Sequence, residues 1–135
     1  MCVEGLCTNV AIATRLGLEN VDDVAKLEDS HEIWDIIGYY LGVMCANLTL
    51  TLSLEKIVIG GGVICRGEVL LQKIRENFLK TINGYLKHQN FNDENIKNYI
   101  VRSKFEIELG MVSSASVSSC GEVYGHKTSL SAWFI

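Results

Sequence analysis

Three consecutive glycines, Gly60-Gly61-Gly62, are the residues of this 135-residue sequence that could most readily meet a nucleotide. They follow the apolar segment Ile57-Val58-Ile59 and precede an amphipathic stretch over residues 68–86, a pattern that predicts a strand, a glycine turn and a helix. Glycine adopts positive φ and lets a phosphate, ribose or adenine approach the backbone, and helix N-termini attract anions. A tight structural turn uses the same residues, so the triplet alone leaves both interpretations open.

A second candidate segment lies near the start of the chain, where Cys2-Val3-Glu4-Gly5-Leu6 is followed by Ala11-Ile12-Ala13. Glu4 is the one carboxylate that a motif singles out. The other acidic residues cluster between residues 19 and 29, and a charged run of this kind is typical of a solvated connector.

The two segments, Cys2-Val3-Glu4-Gly5-Leu6 and the run from Lys56 to Val63, together resemble the ROK family of sugar kinases. In that family a Gly-Cys-x-Glu-Gly segment closes a zinc loop and supplies a sugar-binding glutamate. A hydrophobic strand further along the chain then ends in Gly-Gly-Gly at the ATP site. The order and separation match, over residues 2–115, and the first motif is closest to the fructokinase-like branch. The resemblance identifies the chain as the C-terminal half of such a kinase, truncated at its N-terminus and divergent after about residue 115.

This resemblance implies an α/β fold, the C-terminal portion of a ribonuclease-H-like ATPase domain of the actin and hexokinase type, helix-rich with a few strands. It implies that Glu4 binds the sugar, that Gly60, Gly61 and Gly62 bind the nucleotide, and that Cys2 is a metal ligand. The parent family uses ATP and Mg²⁺ with a structural zinc, and the full-length protein is expected to be a homodimer. The aspartate that acts as base belongs to the N-terminal lobe, so no catalytic residue is assigned and the chain alone is expected to be inactive.

The cysteines, at positions 2, 7, 45, 65 and 120, are odd in number and irregularly spaced, which argues against a disulfide framework. By resemblance Cys2 matches the last zinc-binding cysteine of the family. A structural zinc needs four ligands, and Cys7 and His31 follow no common ligand spacing from Cys2, so we expect this chain not to hold the zinc. Cys45 and Cys65 are predicted to be small buried residues.

Composition excludes several classes of protein. Apolar residues make up 48% and charged residues 21% of the chain, which is typical of a folded domain. The net charge of −4 gives no electrostatic footprint for nucleic acid. We find no signal peptide and no apolar run near the roughly 20 residues of a membrane span, and we therefore expect a cytoplasmic protein with no membrane or nucleic acid as partner. The partners that the family resemblance implies are a sugar and ATP.

Hydrophobic periodicity gives a coarse secondary structure. We predict two strands, at residues 56–59 and 99–102, and a turn or two of helix within the connector 19–29. Three longer helices are predicted: one over residues 9–18, capped by Asn9 and ended by Gly17, one from about His31 to Leu52, capped by Ser30 or Asp29, and one over residues 68–86.

Gly38 and Gly42 lie four residues apart inside the long helix, where each glycine costs up to about 1 kcal/mol relative to alanine. They predict a close approach of that helix to the nucleotide strand or to a partner subunit. Residues 1–115 are expected to form the kinase lobe and residues 116–135, which are serine-rich and depart from the family pattern, a poorly ordered tail.

Three functions stay open at this point. The first is an ATP-dependent carbohydrate kinase of the ROK family, fructokinase- or glucokinase-like, present as a fragment. The second is a non-catalytic nucleotide-binding or dimerisation module that keeps the fold. The third is a piece of a sugar-responsive ROK-type transcriptional repressor, whose DNA-binding helices would lie upstream of Cys2.

Overall fold

A computed structural model describes residues 3–103 and 131–134 of the chain. Five α-helices and three strands lie within this part of the sequence, joined by two 3₁₀ helices at Val21–Lys26 and Gly62–Arg66. In chain order the elements are α1 (Glu4–Cys7), α2 (Asn9–Leu16), α3 (Ile33–Leu52), β1 (Lys56–Ile59), α4 (Glu68–Ile82), α5 (Ile96–Tyr99), β2 (Ile100–Arg102) and β3 (Ser131–Phe134). The predicted helix-rich α/β fold with a few strands is confirmed.

The three strands form one parallel sheet in the order β2-β1-β3, with β1 in the centre. Ile57 pairs with Ile100 in β2 and with Ala132 in β3. All three residues of Ile57-Val58-Ile59 are buried, as expected for a strand that neighbours cover on both faces. The glycine triplet therefore leaves the sheet at the carboxyl end of its central strand, the edge at which open parallel sheets bind ligands.

Helices α3 and α4 pack side by side and supply half of the buried core residues. A Cβ added at Gly38 would come within 2.7 Å of the Lys73 Cβ, and one added at Gly42 within 2.7 Å of the Asn77 Cβ and 2.8 Å of the Ile74 carbonyl oxygen. The predicted close approach is present. Its partner is α4, and the expectation of a nucleotide strand or a second subunit was wrong, because glycine spacing marks a close contact without naming the element that makes it.

Two buried polar groups fasten the sheet to the helices. The Arg75 side chain of α4 donates from Nε and Nη2 to the Ile100 carbonyl at 3.0 and 2.8 Å, and Nη1 forms an ion pair with Glu68. The Tyr99 hydroxyl donates to the Leu54 carbonyl at 2.9 Å and lies 2.9 Å from the Thr49 hydroxyl. Because these polar groups are paired, their burial costs little, and they hold the edge strand β2 in register with β1.

Most helix boundaries agree with the sequence, and two predicted caps do not. Thr8, rather than Asn9, caps α2, since its hydroxyl accepts from the Ala11 N–H at 3.3 Å. Helix α3 lacks the predicted Ser30 or Asp29 cap and begins at Ile33, whose N–H donates to Nδ1 of His31 at 3.1 Å. Gly17 adopts the left-handed conformation that ends α2, as predicted.

Helix α3 is, by length and composition alone, long and apolar enough to cross a membrane, and half of its most apolar stretch is buried inside the protein. This differs from the sequence-based expectation that no run is that long. Glycine, threonine and asparagine are interspersed among its apolar residues, so no uninterrupted apolar run draws attention to it. A buried core helix has the same composition, and α3 packs on α4 in that role.

The tail prediction falls mostly on residues outside those that the structure describes, as do Cys2 and residues 109–115. Residues 131–134 are the described exception: there the backbone forms β3 in parallel register with β1, where the sequence predicted a poorly ordered tail. Pairing with the central strand supplies backbone hydrogen bonds that a free terminus lacks.

Candidate functional site

The first cavity lies where the start of the chain meets the glycine turn, and we call it the Glu4 cavity. It has a volume of about 380 Å³ and takes its lining from α1 and the start of α2, from α3, and from the end of β1 with the turn that follows: Val3, Glu4, Cys7, Thr8, Asn9, Val10, Leu41, Met44, Ile59, Gly60, Gly62, Val63 and Ile64. The structure thus brings Glu4 together with Gly60 and Gly62, although 55 residues lie between Glu4 and Gly60 in the sequence.

Local structure explains how Glu4 is placed. It occupies the first turn of the four-residue helix α1, and its carbonyl accepts from the Thr8 N–H at 3.2 Å. The Thr8 hydroxyl then caps α2, so the chain turns sharply between the two helices. Glu4 is exposed and lines the cavity, and a carboxylate can accept hydrogen bonds from hydroxyl groups of a bound molecule.

The glycine turn has the backbone that its sequence predicts. Gly61 has φ 99° and ψ 172°, a region that only glycine occupies readily. Its carbonyl accepts from the Ile64 N–H at 3.2 Å and starts the 3₁₀ helix Gly62–Arg66. Gly61 itself lines neither cavity described here, so the structure assigns it the turn, and assigns Gly60 and Gly62 the cavity surface.

Asn9 is a site residue that sequence reasoning read only as a helix cap. A Cβ added to Gly62 would lie 3.3 Å from the Asn9 Nδ2 atom, so the amide packs directly against the glycine turn. The adjacent Thr8 is also a favoured capping residue, and its presence is the sequence signal that Asn9 could take another role.

A second cavity, which we call the Asp22 cavity, opens on the other side of this contact. Its volume is about 300 Å³ and it shares three residues with the Glu4 cavity, namely Asn9, Gly62 and Val63. The remaining lining comes from the connector before α3 and from the first turn of α3: Val21, Asp22, Val24, Ala25, Asp29 and Trp34. The connector therefore faces the glycine turn, where the sequence had suggested an ordinary solvated run.

Potential metal ligands are scattered among the described residues, 3–103 and 131–134. No group of three or more His, Cys, Asp or Glu side chains there could hold a metal ion. Cys2, the cysteine that the resemblance connects with zinc, lies outside that part, and the donor set present does not fit a tetrahedral zinc. A Mg²⁺ ion that is bound to nucleotide phosphates needs only one or two carboxylates from the protein, so the cavities are compatible with it.

Cys7 lines the Glu4 cavity and is only 6% exposed. Burial raises the pKa of its thiol to about 11, against an opposing effect of the nearby Arg15. Because the thiolate is the nucleophile, Cys7 is a packing residue at physiological pH. Cys45, fully buried in α3, has its pKa raised by burial to about 12.

We expect Cys7 to react slowly with iodoacetamide at pH 8, because a pKa of about 11 leaves on the order of one thiol in a thousand ionised. The rate should rise about tenfold per pH unit until the pH approaches that pKa. Peptide mass spectrometry after timed labelling measures it, with the urea-unfolded chain as control. Equal labelling of folded and unfolded chains at pH 8 would contradict the burial of Cys7.

Comparison with known proteins identifies the family of this chain. The model of the ROK family matches residues 1–115. A putative fructokinase of Bacillus subtilis (strain 168) is 32% identical over 113 residues, which are 84% of this chain and 36% of that protein. A fructokinase of Streptococcus mutans is 32% identical over 100 residues, 74% of this chain and 31% of that protein.

A glucokinase of Halalkalibacterium halodurans is 42% identical over 67 residues, which are 46% of this chain and 20% of that protein. The chain thus spans about a third or less of the length of these relatives. The match over residues 1–115 includes both motifs and every described residue that lines the two cavities. The chain belongs to the ROK family.

Proposed function

We propose that this chain supplies the sugar-contacting and nucleotide-facing part of an ATP-dependent carbohydrate kinase of the fructokinase and glucokinase type, which transfers a phosphoryl group from ATP to a sugar hydroxyl. The observation that supports the proposal is the Glu4 cavity, whose lining includes both Glu4 and two glycines of the turn that follows β1. Its volume of about 380 Å³ falls in the range of small-molecule sites.

Phosphoryl transfer depends mainly on positioning and charge neutralisation, and the cavity offers the first of these. Glu4 would accept hydrogen bonds from sugar hydroxyls and fix the orientation of the ring. Gly60 and Gly62 present backbone without a Cβ, so a nucleotide could lie close to the chain. Apolar walls from Leu41 and Met44 would limit the access of water.

The proposal extends to the whole protein. The parallel sheet and its helices would be part of a ribonuclease-H-like ATPase domain, with residues 1–115 as the kinase lobe and Mg²⁺ bound through nucleotide phosphates. The full-length protein would be a cytoplasmic homodimer. Since the base that receives the hydroxyl proton is assigned by resemblance to another lobe, we expect the 135-residue chain alone to bind its ligands without turnover.

The proposal is tested by sugar binding. We expect D-fructose or D-glucose to shift the amide resonances of residues 3–10 and 60–64 in the ¹⁵N-labelled chain, with a dissociation constant on the order of 10 mM. Glu4→Ala should weaken this binding about tenfold, because a hydrogen bond to a charged group is lost. Glu19→Ala, which removes the same charge at an exposed position outside both cavities, is the matched control.

Two results would contradict the sugar assignment. The first is a set of shifts that is identical in Glu4→Ala and Glu19→Ala, and the second is a set confined to residues remote from the Glu4 cavity. Binding of ADP without any binding of sugar would favour the alternative of a non-catalytic nucleotide-binding module.

A further inference from the structure

The turn that ends α4 carries a dipeptide that neither cavity uses. Asn83 is the one asparagine of the sequence that a glycine follows. The backbone nitrogen of the residue after an asparagine can close a five-membered ring onto the side-chain carbonyl carbon, and asparagine is for this reason a thermolabile residue. Glycine hinders the closure least because it lacks a Cβ. Asn83-Gly84 is therefore a candidate for a modification that needs no second protein.

Both reacting groups of this dipeptide are accessible. Asn83 and Gly84 are exposed, and a Cβ placed on Gly84 would meet no atom within 4 Å. Within the part of the chain that the structure describes, neither the Asn83 side-chain amide nor the Gly84 N–H forms a hydrogen bond. Neither group therefore has to leave a partner in order to react.

The backbone of the turn is held by few interactions. Asn83 has φ 45° and ψ 42°, and its N–H donates to the Leu79 carbonyl at 2.9 Å. The Tyr85 N–H donates to the Ile82 carbonyl at 2.8 Å. Ring closure requires the Gly84 nitrogen to rotate about the Cα–C bond of Asn83 toward the side chain, which breaks the Tyr85 bond and leaves the Asn83 bond in place. Exposed helix ends open at a small free-energy cost, so this rotation is accessible.

Asn92 shows that exposure alone does not make such a site. It is also exposed, but its Nδ2 donates to the Gln89 carbonyl at 2.9 Å and its Oδ1 accepts from the Asn95 N–H at 2.8 Å. The residue that follows it, Asp93, carries a side chain. Its amide cannot turn toward the backbone without breaking two hydrogen bonds.

We propose that Asn83 is a site of spontaneous deamidation, independent of the proposed kinase function. The Gly84 nitrogen forms a bond to Cγ of Asn83 while the Cγ–Nδ2 bond breaks. The proton of the attacking nitrogen passes through water to Nδ2, which leaves as ammonia. Water then adds to one of the two carbonyl carbons of the resulting succinimide and breaks its bond to the ring nitrogen, which leaves aspartate or isoaspartate.

The product changes the end of α4. A carboxylate at residue 83 lies at the C-terminus of the helix, where the dipole is already negative. Isoaspartate also lengthens the main chain by one carbon atom at the residue whose N–H closes the last turn. Ile82 and Phe78, which are buried in the core, belong to the last turns of α4. We therefore expect deamidation to destabilise the packing of this helix end.

Incubation of the full chain at neutral pH and physiological temperature tests the proposal. Peptide mass spectrometry follows each asparagine through the mass difference between a hydroxyl and an amino group, and chromatography separates isoaspartyl from aspartyl peptides. We expect Asn83 to convert about tenfold faster than Asn92 or more, because Asn92 must first break two hydrogen bonds. The rate at Asn83 should rise with pH, since the attacking nitrogen must lose its proton.

Asn83→Gln and Asn92→Gln are matched variants, since each adds one methylene and keeps the amide. Asn83→Gln should remove most of the conversion of the intact chain, and Asn92→Gln should leave it unchanged. Denaturation followed by circular dichroism then compares fresh and incubated protein. The unaltered chain should unfold at a lower denaturant concentration after incubation, and Asn83→Gln should not change.

Three results would contradict the proposal. Equal conversion of Asn83 and Asn92, or conversion of the intact chain that Asn83→Gln does not reduce, would overturn the assignment of the site. Conversion of Asn83 without any change in the denaturation midpoint would overturn its effect on α4.

Discussion

Replacing Gly42 by valine should destabilise the chain by about 3 kcal/mol or more, the largest effect we expect from a single substitution. Even one added carbon at this position would lie 2.7 Å from the Asn77 Cβ, 2.8 Å from the Ile74 carbonyl oxygen and 3.0 Å from the Phe78 nitrogen. Two of these atoms belong to the backbone of α4 and cannot rotate away. The two helices would have to separate, which exposes the core between them.

Chemical denaturation followed by circular dichroism measures this effect. Asn47→Val is the matched control, because it places the same β-branched residue at an exposed position of the same helix and should change stability by no more than about 0.5 kcal/mol. If Gly42→Val unfolds at the same denaturant concentration as Asn47→Val, α3 and α4 do not approach each other as closely at Gly42 as described.

The elements that sequence predicts well are those whose periodicity is strong. In the segment Leu48–Leu54 leucines alternate with threonine or serine, a pattern that is also typical of a strand. The helical spacing of the residues before it predicts that α3 continues to Leu52, and the structure confirms this. The residue that ends α3 could not be recognised from sequence, because Ser53 adopts φ 51° although serine rarely does so. For α4 the sequence does contain a helix-ending signal, which the prediction of a helix over residues 68–86 overlooked. Asn83 and Gly84 both adopt positive φ, and they end the helix at Ile82, four residues before the predicted end.

Some residues of the candidate site could be predicted from sequence and others could not. Glu4, Gly60 and Gly62, which line the Glu4 cavity, could be singled out from sequence because each belongs to a motif. Asp22 and Asp29 could not, since their local sequence is that of a solvated connector. They differ from the other connector residues because they line the Asp22 cavity together with Trp34 and Gly62. That cavity forms only when α2, α3 and the glycine turn come together.

Gly61 decides the shape of the turn between the two cavities, and its replacement should have the largest effect on ligand binding. Its φ of 99° and ψ of 172° lie in a region that costs other residues about 1–3 kcal/mol, and a β-branched side chain tolerates it least. In Gly61→Val the backbone should move to negative φ, and Gly60 and Gly62 would then no longer present their backbone to a ligand together.

We therefore expect Gly61→Val to abolish ADP binding, whose dissociation constant in the unaltered chain should be on the order of 1 mM, or about 4 kcal/mol. Gly84→Val is the matched control, because Gly84 also has positive φ, 71°, has open space around it, and lines neither cavity. It should lose comparable stability and keep its affinity for ADP. Titration of both labelled variants with ADP distinguishes the explanations: equal loss of binding would mean that strain anywhere in the chain suffices, and unchanged binding in Gly61→Val would mean that the glycines form a structural turn alone.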